Sequence, residues 1–105
     1  MEGTAPPRQS RDDALKRIKR CLDEGEVIPT KHFRDKLEVL GMSMVEALYI
    51  LRHGLILNEP EFDVRYQQWN YRVEGTEPDG EHLAIVLRFI EESSGLLITI
   101  FSIES

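Results

Sequence analysis

Apolar residues recur at helical spacing from residue 10 to residue 54 and at every second position through much of the remaining chain. Ala14, Leu15, Ile18, Cys21 and Leu22 keep the i, i+3/i+4, i+7 spacing of an amphipathic helix. Ser10 is placed to cap it, Asp12 and Asp13 lie near the positive end of its dipole, and Gly25 stops it. Val27 and Ile28 read as a short extended link, because the residue before Pro29 avoids helical dihedrals. Thr30 caps a second helix with the stripe Phe33, Leu37, Leu40, which Gly41 ends. Ser43 and Glu46 form a capping box for a third helix, with Met42 and Ala47 as a hydrophobic staple. Met44, Val45, Leu48, Ile50 and Leu51 make it apolar on most sides, which predicts deep burial up to its stop at Gly54.

The period then changes to two. Leu55–Leu57 reads as a short strand and residues 58–63 as a loop, with extended chain through Val64 and Tyr66. Trp69, Tyr71 and Val73 alternate with Asn70, Arg72 and Glu74, the pattern of a half-buried strand. Pro78-Asp79-Gly80 supplies a turn, Leu83–Ile90 a strand, Glu91–Gly95 a second turn and Leu96–Ile103 a last strand. Strands joined by such short connections pair antiparallel. Centring the turns on Pro78 and Ser93 sets Val73 against Leu83, Tyr71 against Ile85 and Phe89 against Leu97. Odd positions from Trp69 to Phe101 then face the helices. Even positions (Asn70, Arg72, Glu74, His82 and Arg88, with Val86, Ile90, Ile98 and Ile100) face away, and a one-residue slip would exchange the two sets. The predicted core is Leu37, Leu48, Trp69, Ile85, Leu87 and Phe101.

The predicted architecture is α+β: three N-terminal helices packed on one face of a mainly antiparallel sheet of about four strands. A frayed, disordered tail over residues 1–9, with Pro6 and Pro7, is expected before a single domain over residues 10–105. A 41% hydrophobic and 30% charged composition is ordinary for a globular chain and excludes disorder. No apolar run has membrane-spanning length and the N-terminus lacks a signal-peptide segment, so the expected location is cytoplasmic. Cys21 is the only cysteine, which excludes disulfides and cysteine-rich zinc sites. The net charge of −6 is uneven: residues 1–53 carry ten basic and nine acidic residues, residues 54–105 three basic and ten acidic. An acidic half of this kind is a poor non-specific surface for nucleic acid.

The markers Glu24-Gly25, Lys31-His32-x-Arg34-x-Lys36, Gly41-Met42, Arg52-His53-Gly54, Trp69-x-Tyr71-Arg72-Val73-x-Gly75, Asp79-Gly80 and Ile98-Thr99-Ile100 occur in one order over Asp13 to Ser102. In that order they resemble a family of small bacterial domains, domain-of-unknown-function family 4258. Members look like relatives of small ribonuclease toxins of the RelE and MqsR kind, so the resemblance implies a RelE-toxin-like fold. Two departures stand out: Leu40 occupies a position that is usually basic in the family, and the overall charge is acidic.

Cutting RNA by attack of its own 2′-hydroxyl needs no cofactor, only a general acid/base and cations on the phosphate. His32 is the candidate acid/base, with His82 second. Arg34, Lys36, Arg72 and Arg88 are candidate cations, and Trp69 or Tyr71 could stack on a base. The structural alternative is that His32 fills a helix start and the arginines pair with carboxylates such as Asp35 or Glu74. Three histidines with no paired ligand spacing give no metal site, and no cofactor motif occurs. Two functions stay open. One is a cofactor-independent ribonuclease or toxin–antitoxin component. The other is a non-catalytic interaction domain whose open sheet face binds an antitoxin-like partner or a second copy in a homodimer. The acidic charge balance disfavours RNA as the partner.

Overall fold

A computed structural model describes residues 6–103. Three helices, α1 (Arg11–Glu24), α2 (Lys31–Leu40) and α3 (Met44–His53), accompany five strands: β1 (Glu26–Pro29), β2 (Glu61–Asp63), β3 (Gln68–Thr76), β4 (His82–Glu91) and β5 (Ser94–Ser102). The sheet runs β1-β5-β4-β3-β2. β2 to β5 pair antiparallel, and β1 pairs parallel with β5. The fold is therefore α+β with a mixed five-stranded sheet.

The helix boundaries follow from their caps. Ser10 accepts from the Asp13 amide, Thr30 from the Phe33 amide, and Ser43 with Glu46 closes the reciprocal capping box. Gly41 ends α2 in the left-handed region at φ 69°, a conformation that costs glycine little. Ala14, Ile18 and Cys21 of α1, Phe33 and Leu37 of α2, and Ala47, Ile50 and Leu51 of α3 form one core with Tyr71, Val73, Leu83, Ile85, Leu87, Leu97 and Ile100. α3 is more one-sided than its composition suggests: Val45 is 75% exposed and Tyr49 41%. Its outward face carries a tilted Tyr49–His53 ring contact at 4.4 Å.

Four strand expectations change. The extended link at Val27–Ile28 is strand β1, with Val27 beside Gly95 and Ile28 beside Leu96. Leu55 forms only a single bridge to Glu74, not a strand. Glu61–Asp63, read as loop, pairs with β3. In the β3–β4 and β4–β5 hairpins the pairing is displaced by two residues, with Val73 opposite Ile85 and Leu87 opposite Leu97. A two-residue displacement preserves the faces, so Tyr71, Val73, Leu83, Ile85 and Leu87 do meet the helices.

A bulge then reverses parity along the rest of β5. Leu87 pairs with Leu97 but Val86 pairs with Thr99, so Ile98 is the extra residue. Beyond it Ile100 lies opposite Ile85 and is fully buried, whereas Phe101 lies opposite Ala84 and is only half-buried. The expectation of Phe101 in the core and Ile100 on the open face is therefore reversed. Leu48 and Trp69, also expected in the core, are half-buried at its margin.

Of the stretch read as a tail, residues 1–5 lie outside the described residues. Pro6 to Gln9 are held against the sheet: Trp69 Nε1 donates to the Pro6 carbonyl at 3.1 Å, and the Gln9 amide donates to Tyr71 Oη at 2.9 Å. Among the described residues no helix is long and apolar enough to cross a membrane.

Candidate functional site: the open face of the sheet

The face away from the core carries Asn70, Arg72 and Glu74 on β3, with His82, Val86 and Arg88 on β4. On β5 it carries Leu96, Thr99 and Phe101, the register partners of Arg88, Val86 and Ala84. Ile28 joins them as the partner of Leu96. Polar and apolar groups alternate over this face, and the polar ones are joined in pairs.

α2 brings His32 to the margin of this face. Thr30 ties the start of the helix to β5, its backbone and side chain both donating to the Leu97 carbonyl at 3.1 and 2.9 Å. At the second position of the helix, His32 Nε2 lies 3.1 Å from Thr99 Oγ1. Thr99 pairs with Val86 and Val86 with Arg72, so His32 and Arg72 belong to one row across the sheet. With neighbouring strands about 4.8 Å apart, the Thr99 and Arg72 backbones are about 10 Å apart. Lys36, half-buried, follows His32 by four residues and so shares its side of α2. Arg34 does not: it is exposed, and Nη1 donates to the Pro29 carbonyl at 3.2 Å.

The two sheet arginines already have counter-ions. Arg88 Nε donates to Asn70 Oδ1 at 3.1 Å, Nη2 lies 3.4 Å from Asp63 Oδ2, and the guanidinium sits 4.6 Å from the Tyr66 ring centre. Its side chain is 9% exposed. Asp63 is fixed in turn, since Oδ1 accepts from the amides of Arg65 and Tyr66 in the β2–β3 turn. Arg72 lies 5.2 Å from the Phe101 ring centre, with Nε 3.0 Å from Glu74 Oε2. The Nε–H is not aligned on that oxygen, so charge rather than a directed hydrogen bond joins the pair, and this buried nitrogen has no aligned acceptor among the described residues. Glu74 also reaches His82 Nε2 at 3.5 Å, while His82 Nδ1 lies 3.2 Å from Thr76 Oγ1.

The face thus gathers His32, Lys36 and Arg72 on one side of the sheet, holds Arg88 in a structural cage, and leaves Arg34 pointing elsewhere. Beside Arg72 a shallow groove of about 220 Å³ is lined by Glu59, Glu61, Asn70, Val86 and Phe101. Periodicity could place Arg72, Glu74 and Arg88 on one face. It could not reveal Asp63, on a strand read as loop, Tyr66, in a turn read as extended chain, or Thr99, which reaches the face beyond the bulge. Among the described residues no group of three or more His, Cys, Asp or Glu could hold a metal ion. No protein-family model, curated protein or solved structure matches the chain.

Proposed function

We propose that this chain is a non-catalytic protein-interaction domain of toxin-like fold, acting in the cytoplasm, whose open sheet face binds a second copy of itself. The observation that carries the reading is the state of the two sheet arginines. Arg88 is enclosed by Asp63, Asn70 and Tyr66, and Arg72 stands against Glu74, so neither presents the uncompensated charge that a pentavalent phosphate requires. What remains is the apolar band Ile28, Leu96, Val86 and Phe101, half-buried and outside the hydrophobic core. The margins of the face differ in sign: His32 and Lys36 lie on the α2 side and Glu61 on the β2 side, where Glu59 is already paired with Arg8 and Arg11. A twofold axis along the strands would lay the basic margin of one copy over the acidic margin of the other, as an isologous interface requires.

The resemblance to family 4258 and the RelE-like fold belong to this reading. Their support is the order of three helices before the antiparallel strands β2 to β5, and the physical need for the marker glycines. A Cβ on Gly25 would collide with the Ser93 carbonyl, and one on Gly54 would stand 2.6 Å from the carbonyl oxygens of Ile50 and Glu74.

Sedimentation equilibrium tests the association. A dimer is expected for the wild type. Val86→Asp and Leu96→Lys should each yield monomers with an unchanged circular dichroism melt, and a wild-type monomer at about 100 μM, a concentration at which micromolar affinity would show, refutes the proposal. A second reading, a cofactor-independent ribonuclease, is favoured by one observation: His32 bonds to Thr99 on the same face as Arg72.

A further inference from the structure

A concavity lies on the other side of the sheet from His32 and Arg72, and the interaction reading leaves it unused. Its volume is about 530 Å³, within the ordinary range of small-molecule sites. Trp69, Tyr71 and Phe89 line it from the sheet, and Arg17 and Arg20 line it from α1. The third wall is Pro6, Pro7 and Gln9, the segment pinned by the Trp69–Pro6 and Gln9–Tyr71 hydrogen bonds. The walls therefore come from three separate parts of the chain.

The chemistry of these walls is specific. The rings of Tyr71 and Phe89, tilted at 53° with centres 5.4 Å apart, form a buried floor, and Trp69, half-buried beside them, is the more accessible ring for a flat ligand. Arg17 is held in place: Nε donates to the Glu92 carbonyl at 2.9 Å, Nη2 to the Glu91 carbonyl at 2.7 Å, and the guanidinium lies 4.4 Å from the Phe89 ring centre. Among the described residues these bonds leave Nη1 without a hydrogen-bond partner. Arg20 meets Glu92 Oε2 at 3.0 Å and keeps 44% of its side chain exposed. Among the described residues two guanidiniums share one carboxylate, a surplus of one positive charge at the pocket in a chain whose net charge is −6.

We infer that this pocket binds a planar aromatic compound bearing a single negative charge, its ring against Trp69 and Phe89 and its acid group on Arg17 and Arg20. A neutral ring would forgo the charge, a cation would be repelled by it, and a non-aromatic acid would forgo the stacking. Glu92 is the ligand's competitor for Arg20 and turns aside when the acid group enters.

Trp69 is the only tryptophan, so its indole N–H gives one signal in the nitrogen–proton spectrum of the full chain and reports the pocket directly. The probes are 2-naphthoate, the cation 2-naphthylmethylammonium and cyclohexanecarboxylate. The indole signal should move saturably with 2-naphthoate and stay in place with the other two. Arg20→Gln, at a largely exposed site, should raise the 2-naphthoate dissociation constant about tenfold, the loss of one charge-assisted hydrogen bond. Equal responses to naphthoate and the naphthyl cation would overturn the inference. So would an unchanged constant in Arg20→Gln, or no saturable shift with naphthoate.

Discussion

Ile98 and Ile100 show at single-residue scale what the pattern of the chain can and cannot specify. Leu96 to Phe101 is apolar on both faces apart from Thr99, so nothing in it marks which residue is looped out by the bulge. Tyr71 and Val73, flanked by Asn70, Arg72 and Glu74, carry their parity in the alternation itself, and they are buried as expected. Ile100→Ala should therefore cost about 2–5 kcal/mol, the range for emptying a packed site, and Ile98→Ala clearly less. Urea denaturation of the two variants checks the order, and equal losses would remove the bulge. Glu77 is a second residue-scale case, 8% exposed in the β3–β4 connection. Burial pushes its carboxyl above the usual carboxylate range, and Glu46, Asp79 and Glu81 push it the same way. The folded state then holds this proton more tightly than the unfolded chain does. That contribution is complete below the unfolded pKa and is lost as pH rises through the folded one. Glu77→Gln should be at least as stable as wild type at neutral pH and should flatten the fall in stability above about pH 4, near the unfolded glutamate value. Urea midpoints across that interval measure it.

Among the elements, the helices were legible because each begins with a side-chain cap and ends at a glycine, signals contained within a few residues. β1 was not. Its four residues show no period, and its partner lies at Ser94–Leu97, far along the chain, where no local signal points back to it. The same distance hides the reason for Gly25, which looks like a helix stop but is also where the α1–β1 corner passes under the Ser93 carbonyl. The Glu26 amide donates to that carbonyl at 3.0 Å, so the close approach begins the parallel pairing. Gly25→Ala should cost about 1–3 kcal/mol, the penalty of forcing atoms into a filled space. Its thermal melt, compared with that of Gly41→Ala, separates the two kinds of glycine: a Cβ at Gly41 meets nothing within 4 Å, and only the left-handed backbone is strained there.

For the whole molecule, the sheet divides the chemistry into two surfaces. One holds the core and, at its margin, the aromatic pocket under α1. The other holds His32, Arg72 and Arg88. Charge counts in the sequence anticipated that cations on the acidic half would be scarce, and their pairing with Asp63 and Glu74 leaves them less available still. The row His32–Thr99–Val86–Arg72 was not legible, because it depends on the bulge and on how the start of α2 is tied to Leu97. That row is also the strongest rival to an interaction domain. The most direct measurement is cleavage of a structured RNA by the purified wild-type chain and by His32→Ala, followed by separation of the products on a denaturing gel. With the arginine charges already met by carboxylates, both proteins should leave the RNA intact at the level of a protein-free control. Cleavage by the wild type, lost in a folded His32→Ala, would contradict the account and make this face a ribonuclease active site.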